Sequence, residues 1–333
     1  MIRIRLTDSK RKELEKHHWN CFKENYLKNW IKKIKEDDEF KKCFFNSIEK
    51  FNEWFDKKNK QTYENWIKNQ DESKFEVFKE FVIEKPEYLI EKEKNANPKI
   101  KVYFKGQYDK FREEYATELI EKLDLRVCPY CNRNYVDNYE IKQSGKKKFT
   151  GQLDHFYPIE KYPYLALSLY NLIPCCSNCN HIKSNDKKEI LYPYRDEYGN
   201  NAKFRTKFIK DKNGDISLDF LLGNSTEFEI EIDIKDTEHD IENLIKNSKD
   251  MFHIEERYNC DKNYVIELIR KSIVYNESRI SELLDQYPEL FENRDDVLQM
   301  IVSNYICDDE LDKRPLAKLT KDICEEFGLL ECK

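Results

Sequence analysis

The residues that could do chemistry crowd between Cys128 and Lys183. The run CPYCNRNYV sets Cys128 and Cys131 two residues apart, and NLIPCCSNCNHIK repeats that spacing with Cys176 and Cys179. A two-residue gap lets both sulfurs of a tight turn converge on one ion, and two such hooks supply the four tetrahedral ligands that Zn²⁺ prefers. Cys175 could replace Cys176 only by widening the second gap to three residues, so Cys176 is the expected ligand. The chain has eleven cysteines. In a reducing compartment, paired hooks more often hold metal than form disulfides.

Between the hooks lies GQLDHFYP, with Asp154 beside His155. Hydrolysis of a phosphodiester needs a base for water, a cation to neutralise the scissile phosphate and leaving oxygen, and a geometry that holds both in line. His155 is the natural base, because a neutral imidazole is available near pH 7. The hard carboxylate oxygen of Asp154 suits Mg²⁺ or Mn²⁺. An Asp-His pair alone is ordinary. Its place between two sulfur hooks, ahead of Asn171 and Asn180, singles it out.

The ordered set of motifs resembles the HNH, or ββα-metal, endonucleases in their four-cysteine form. LDHFYP followed by YPYLALSLYNLIPCCSNCNHIK is also similar to HNH proteins of bacterial anti-phage systems of the Septu type. The resemblance covers roughly 55 residues, about a sixth of the chain, and speaks for the core rather than the flanks. It assigns His155 and Asp154 the roles that their chemistry suggests. It further implies that Asn180 is the second ligand of the catalytic cation, at the start of a helix that packs on a hairpin, and that Asn171 ties the active-site loop together and helps orient His155. Asn180 stands where the eponymous pattern has His, and an oxygen ligand pair favours Mg²⁺ or Mn²⁺ over a soft metal. Lys183, one turn after Asn180, would share its helix face and reach a phosphate. Lys146, Lys147 and Lys148 form a basic hairpin tip that is either solvated or a second phosphate contact. The resemblance also implies a nuclease effector whose flanking helices dock on an ATPase subunit of a defence complex. The competing reading is a zinc knuckle that binds nucleic acid or a protein without catalysis.

These residues must be positioned by a mostly helical α+β chain. Charged residues make up 37% and hydrophobic ones 39%, with a mean hydropathy of -0.90. No apolar run approaches the roughly 20 residues of a membrane span. The start, MIRIRLTDSKRK, lacks the apolar core of a signal peptide, so a cytoplasmic protein without membrane contact is expected. The net charge of -6 argues against a protein that coats nucleic acid everywhere. Between Arg126 and Arg195 the balance reverses, with 11 Lys or Arg against 6 Asp or Glu, as a phosphate-contacting patch requires.

Three regions are expected. Residues 1–125 read as an N-terminal helical domain: no glycine precedes Gly106, and Trp19, Trp30, Trp54 and Trp66 fall among aromatics spaced three and four apart. Trp30, Ile31 and Ile34 make one apolar stripe, Phe51, Trp54 and Phe55 another, and Tyr108, Phe111, Tyr115 and Leu119 a third after a break at Asn95 to Pro98. Residues 126–200 read as the nuclease core with structural zinc, including a hairpin whose tip is Ser144 and Gly145. Residues 201–333 read as strands and then helices. Phe204 to Ile209 and Ile216 to Phe220 flank an Asn-Gly turn, Phe228, Ile230, Ile232 and Ile234 alternate with acids, and helices cover Tyr264 to Tyr275 and Arg279 to Leu284. His17, His18, His239 and His253 show no ligand spacing and read as structural.

Overall fold

Apolar side chains at helical spacing dictate the first elements. The computed structural model describes residues 1–44, 75–84, 86, 98–184, 188–210, 213–235 and 237–331. Two compact units form: Leu6–Asp124 with Asn138–Pro174, and Met1–Arg5 with Leu125–Asp137 and Cys175–Lys333. The stretch 126–200 contributes to both.

In the first unit, α1 (Asp8–Asn25) starts where the Thr7 side chain accepts from the Lys10 amide, with Asp8 complementing the helix dipole. It is followed by α2 (Leu27–Glu36), α3 (Asp38–Phe44), α4 (Glu76–Ile83), α5 (Pro98–Glu114) and α6 (Ala116–Leu123). The expected stripe of Trp30, Ile31 and Ile34 is the buried face of α2. Trp30 meets Phe22 and Phe104 edge-on, with ring centroids 4.8 and 5.0 Å apart. Such pairs contribute about 1 kcal/mol beyond the area they bury. The stripe of Phe51, Trp54 and Phe55 and the break at Asn95 lie outside the described residues, while Pro98 opens α5, where its missing amide hydrogen costs no helical bond. Tyr108 and Phe111 are buried on α5 and Leu119 on α6, with Tyr115 at the junction.

Two strand pairs complete this unit. β1 (Asn138–Ile141) and β2 (Lys146–Phe149) run antiparallel from Asn138 opposite Phe149 to Ile141 opposite Lys146. The turn closes at Gly145, whose φ of +64° is the left-handed conformation that glycine adopts freely. β3 (Gln152–His155) pairs with β4 (Leu172–Cys175), and the Phe156 amide donates to the Asn171 carbonyl just beyond the ladder.

The second unit contains α7 (Ser177–Lys183), β5 (Ala202–Phe208), β6 (Phe228–Ile234), α8 (His239–Met251), α9 (Ile254–Tyr258), α10 (Lys262–Val274), α11 (Glu277–Gln286), α12 (Arg294–Val302) and α13 (Ala317–Glu326). The alternation of Phe228, Ile230 and Ile232 becomes the buried face of β6, antiparallel to β5. Residues Ile216 to Phe220, expected as a strand, instead make one bridge, Ile216 to Lys210, and then a 3-10 turn over Asp219–Leu222. The reason is that β5 has no vacant edge. One side carries β6, and on the other the Phe204 amide donates to Asp322 Oδ2 and the Thr206 amide to the Glu326 carboxylate of α13. Phe220 is buried under the ladder's end, 5.1 Å from Phe228, and drags its segment into the turn. The far edge of β6 is closed likewise, by Asn259 Oδ1 at the Ile230 amide and Glu255 Oε1 at the Ile232 amide. Side chains that occupy both edges leave no template for another strand. Among the described residues no helix is long and apolar enough to cross a membrane.

Candidate functional site

The first cysteine hook sits at the tip of a short hairpin in which Val127 bridges Tyr135 and the Cys128 amide donates to the Asn134 carbonyl. The chain reverses at Asn132, whose φ of +48° is one that asparagine tolerates better than most residues. Asn132 is buried, and its side chain donates to the Leu311 carbonyl and accepts from the Lys318 amide. The tip is therefore anchored to the start of α13. The second hook begins at Cys176, the residue capping α7, and ends at Cys179 within it.

The sulfurs of Cys128, Cys131, Cys176 and Cys179 all lie within 4.8 Å of one another and are buried. Cys131 Sγ and Cys176 Sγ are 3.9 Å apart. A zinc tetrahedron with Zn–S bonds of about 2.3 Å has edges of about 3.8 Å, so the four sulfurs could hold a zinc ion with little movement. Cys175, the last residue of β4, is buried outside the cluster. Hydrogen bonds from Cys128 and Cys131 hold the Cys176 thiol well below the ordinary range, while burial pushes the Cys128 thiol well above it. Four thiols this close compete for ionisation, a conflict that a divalent cation removes by binding all four as thiolates.

Two donors to sulfur were not singled out from the sequence. Asn134 Nδ2 donates to Cys176 Sγ at 3.3 Å, and Arg257 donates through one terminal nitrogen to Cys179 Sγ at 3.4 Å. Asn134 follows the first hook by three residues and could have been suspected from proximity. Arg257 is 78 residues from its sulfur and carries no local signal.

Asp154 and His155 end β3 in the other unit. Asp154 is 4% exposed and His155 is half-buried. His155 Nε2 lies 3.0 Å from the Ala166 carbonyl. A carbonyl only accepts, so Nε2 carries the proton and the neutral imidazole has its lone pair on Nδ1. The ring meets Tyr108 of α5 edge-on at 4.3 Å, and the Tyr108 hydroxyl donates to the Leu153 carbonyl two residues earlier on β3. The helical elements thus contribute directly to the orientation of His155.

Asn171 is fully buried at the end of the 3-10 turn Leu169–Asn171 that leads into β4. Its Oδ1 accepts from the Tyr157 amide at 2.7 Å, and its Nδ2 donates to the carbonyls of Tyr157 and Leu165, both at 3.1 Å. One amide therefore ties both ends of the loop that leaves His155. Three successive carbonyls of that loop meet side chains: Leu165 meets Asn171, Ala166 meets His155, and Leu167 meets His18 of α1 at 2.8 Å. His18, read as structural, has this same loop as its partner.

The remaining candidates are placed as follows. Asn180 is half-buried in α7, where its amide makes the helical bond to the Cys176 carbonyl. Lys183 is buried at 3% exposure, whereas His181 is exposed. Asn180 and Lys183 belong to the unit of the cysteines; Asp154, His155 and Asn171 belong to the other. Lys146, Lys147 and Lys148 are exposed on β2, with alternate residues facing opposite ways. Lys147 forms an ion pair with both oxygens of Glu121, at 2.6 and 2.8 Å. No family model matches this chain, and no curated protein or solved structure matches it.

Proposed function

We propose that the protein is a metal-dependent endonuclease of HNH type that hydrolyses phosphodiester bonds of DNA or RNA. The reading rests chiefly on the environment of His155. Its Nε2 is occupied by a carbonyl, its ring is braced by Tyr108, and its loop is tied by Asn171, an arrangement that makes Nδ1 a positioned base. Asp154, its neighbour in sequence, supplies a hard oxygen suited to Mg²⁺ or Mn²⁺. Asn180 is assigned the second ligand role by the resemblance of NLIPCCSNCNHIK to the family pattern, whereas Lys183, given a phosphate contact by its spacing alone, is buried and would reach one only by leaving its present position. Cys128, Cys131, Cys176 and Cys179 would hold a zinc ion that serves as scaffold outside the hydrolytic step. Asp154 would hold a divalent cation, which would supply charge neutralisation at the scissile phosphate, and Nδ1 of His155 would accept the proton of the attacking water.

The test is a cleavage panel. Purified protein and its His155→Ala and Asn180→Ala variants are incubated with plasmid, single-stranded DNA and total RNA, each with Mg²⁺, Mn²⁺ or chelator. The expected result is divalent-dependent cleavage that His155→Ala lowers by about 10² or more, the usual contribution of a general base. If the variant retains zinc and fold and cleaves as fast as wild type, the base is misassigned. Binding without cleavage under every condition would instead support a zinc-knuckle module. A role as the effector of an anti-phage complex follows from the same resemblance, and co-purification with an ATPase encoded beside it is the expected sign.

A further inference from the structure

Arg257 is a half-buried cation that no carboxylate among the described residues pairs with. Among the described residues it makes no ion pair, its one terminal nitrogen donates to Cys179 Sγ and the Phe252 carbonyl, and its other terminal nitrogen is buried without a hydrogen-bond partner. Burial opposes its charge, and only the hydrogen bond to Cys179 together with the nearby sulfurs of Cys131, Cys179 and Cys176 outweighs that effect. A guanidinium taken partly out of water is costly unless its charge is offset. Among the described residues, the hydrogen-bond acceptors of its guanidinium are the Cys179 sulfur and the Phe252 carbonyl.

Its neighbours on the same segment are held by other means. Phe252 stacks on Tyr130 at 4.8 Å, the Tyr258 hydroxyl donates to the Cys131 carbonyl at 2.6 Å, and the Asp261 carboxylate accepts from Nε and one terminal nitrogen of Arg133 at 2.7 and 3.1 Å. The segment 252–261 is thus latched to the first hook by a stack, a neutral hydrogen bond and an ion pair. Arg257 would be redundant as a fourth latch. A zinc ion held by four thiolates carries a net charge of about -2, which the buried cluster must offset, and N–H donors to the sulfurs are the means that outer-shell residues use.

We propose that Arg257 is the charge-compensating partner of the metal–thiolate centre: its guanidinium offsets the negative charge on Cys179 and slows release of zinc. Arg257 is a positioning residue and touches no ligand of the hydrolytic reaction. The proposal rests on the metal reading of the cysteine cluster and is independent of any role for His155.

The experiment uses the full chain with zinc bound. Zinc content is measured first, and then the rate of zinc transfer to a chromogenic chelator for wild type, Arg257→Lys, Arg257→Gln and Arg133→Gln. The last variant breaks the neighbouring ion pair and serves as a reference for a loosened segment. The expected result is a tenfold or greater acceleration for Arg257→Gln, against threefold or less for Arg257→Lys, which keeps the charge, and for Arg133→Gln. Equal acceleration in Arg257→Gln and Arg133→Gln, or none in Arg257→Gln, overturns the proposal. Should Arg257→Gln not fold, the wild-type protein loaded with ¹¹³Cd decides. A through-hydrogen-bond coupling between cadmium and an Arg257 side-chain proton is expected, and an Arg257 side chain insensitive to the metal refutes it. Wild-type protein that holds no zinc removes the metal reading itself, whereas zinc retention that ignores Arg257 removes only this proposal.

Discussion

Acidification should weaken the helical unit through one side chain, His18. It is buried on α1, with Nε2 donating to the Leu167 carbonyl and its ring edge-on to Phe111 at 5.5 Å. Burial lowers its pKa from 6.5 to about 4. The folded state therefore disfavours the imidazolium more than the unfolded chain does. The stabilisation is fully present above pH 6.5 and is lost progressively as pH falls towards 4. A shift of that size corresponds to about 3 kcal/mol, a large share of the 5–15 kcal/mol that holds a typical domain together. Trp19 and Trp30 are buried in this unit, so tryptophan fluorescence follows its unfolding. Urea unfolding followed by that signal at pH 7.5, 6.5, 5.5 and 4.5 should show the wild type losing stability relative to His18→Gln, whose amide can still donate to Leu167 and does not titrate. Parallel loss in both proteins would refute the assignment. Because Leu167 follows the carbonyl that holds His155, the same acidification should loosen that imidazole before the unit unfolds.

Two further outcomes follow from the buried polar groups. Asn171→Ala removes one acceptor and two donors from a fully buried position, and with them the bond accepted from the Tyr157 amide, so the unit should lose about 2–4 kcal/mol, read as a lower urea midpoint in tryptophan fluorescence. Cys128→Ser should abolish zinc retention and melt the unit built on the two hooks rather than leave it folded and metal-free. Structural zinc contributes on the order of 10 kcal/mol, and the variant's helical circular dichroism and zinc content should fall together.

Much of the fold was legible because its signals are local. The stripe of Trp30, Ile31 and Ile34 became a buried helix face, the alternation from Phe228 became a strand, and Ser144 with Gly145 became a turn. Ile216 to Phe220 misled for an equally physical reason. Its apolar alternation is genuine, but the edge it needed is occupied by Asp322 and Glu326, more than 100 residues away. The stretch 126–200 looked continuous in sequence, yet it divides between two units, because the hairpin and loop threaded between the hooks pack with the helices that precede them.

By itself the sequence determined the four sulfurs, since a Cys-x-x-Cys turn places two ligands through backbone geometry that a few adjacent residues set. Tertiary structure alone decided which distant groups face those residues. Arg257 reaches Cys179, Tyr108 braces His155, and His18 meets the loop beside it, each from a helix whose approach depends on how apolar faces pack. Spacing along the chain encodes the turn, whereas burial and hydrogen-bond partners exist only once separate elements exclude water together.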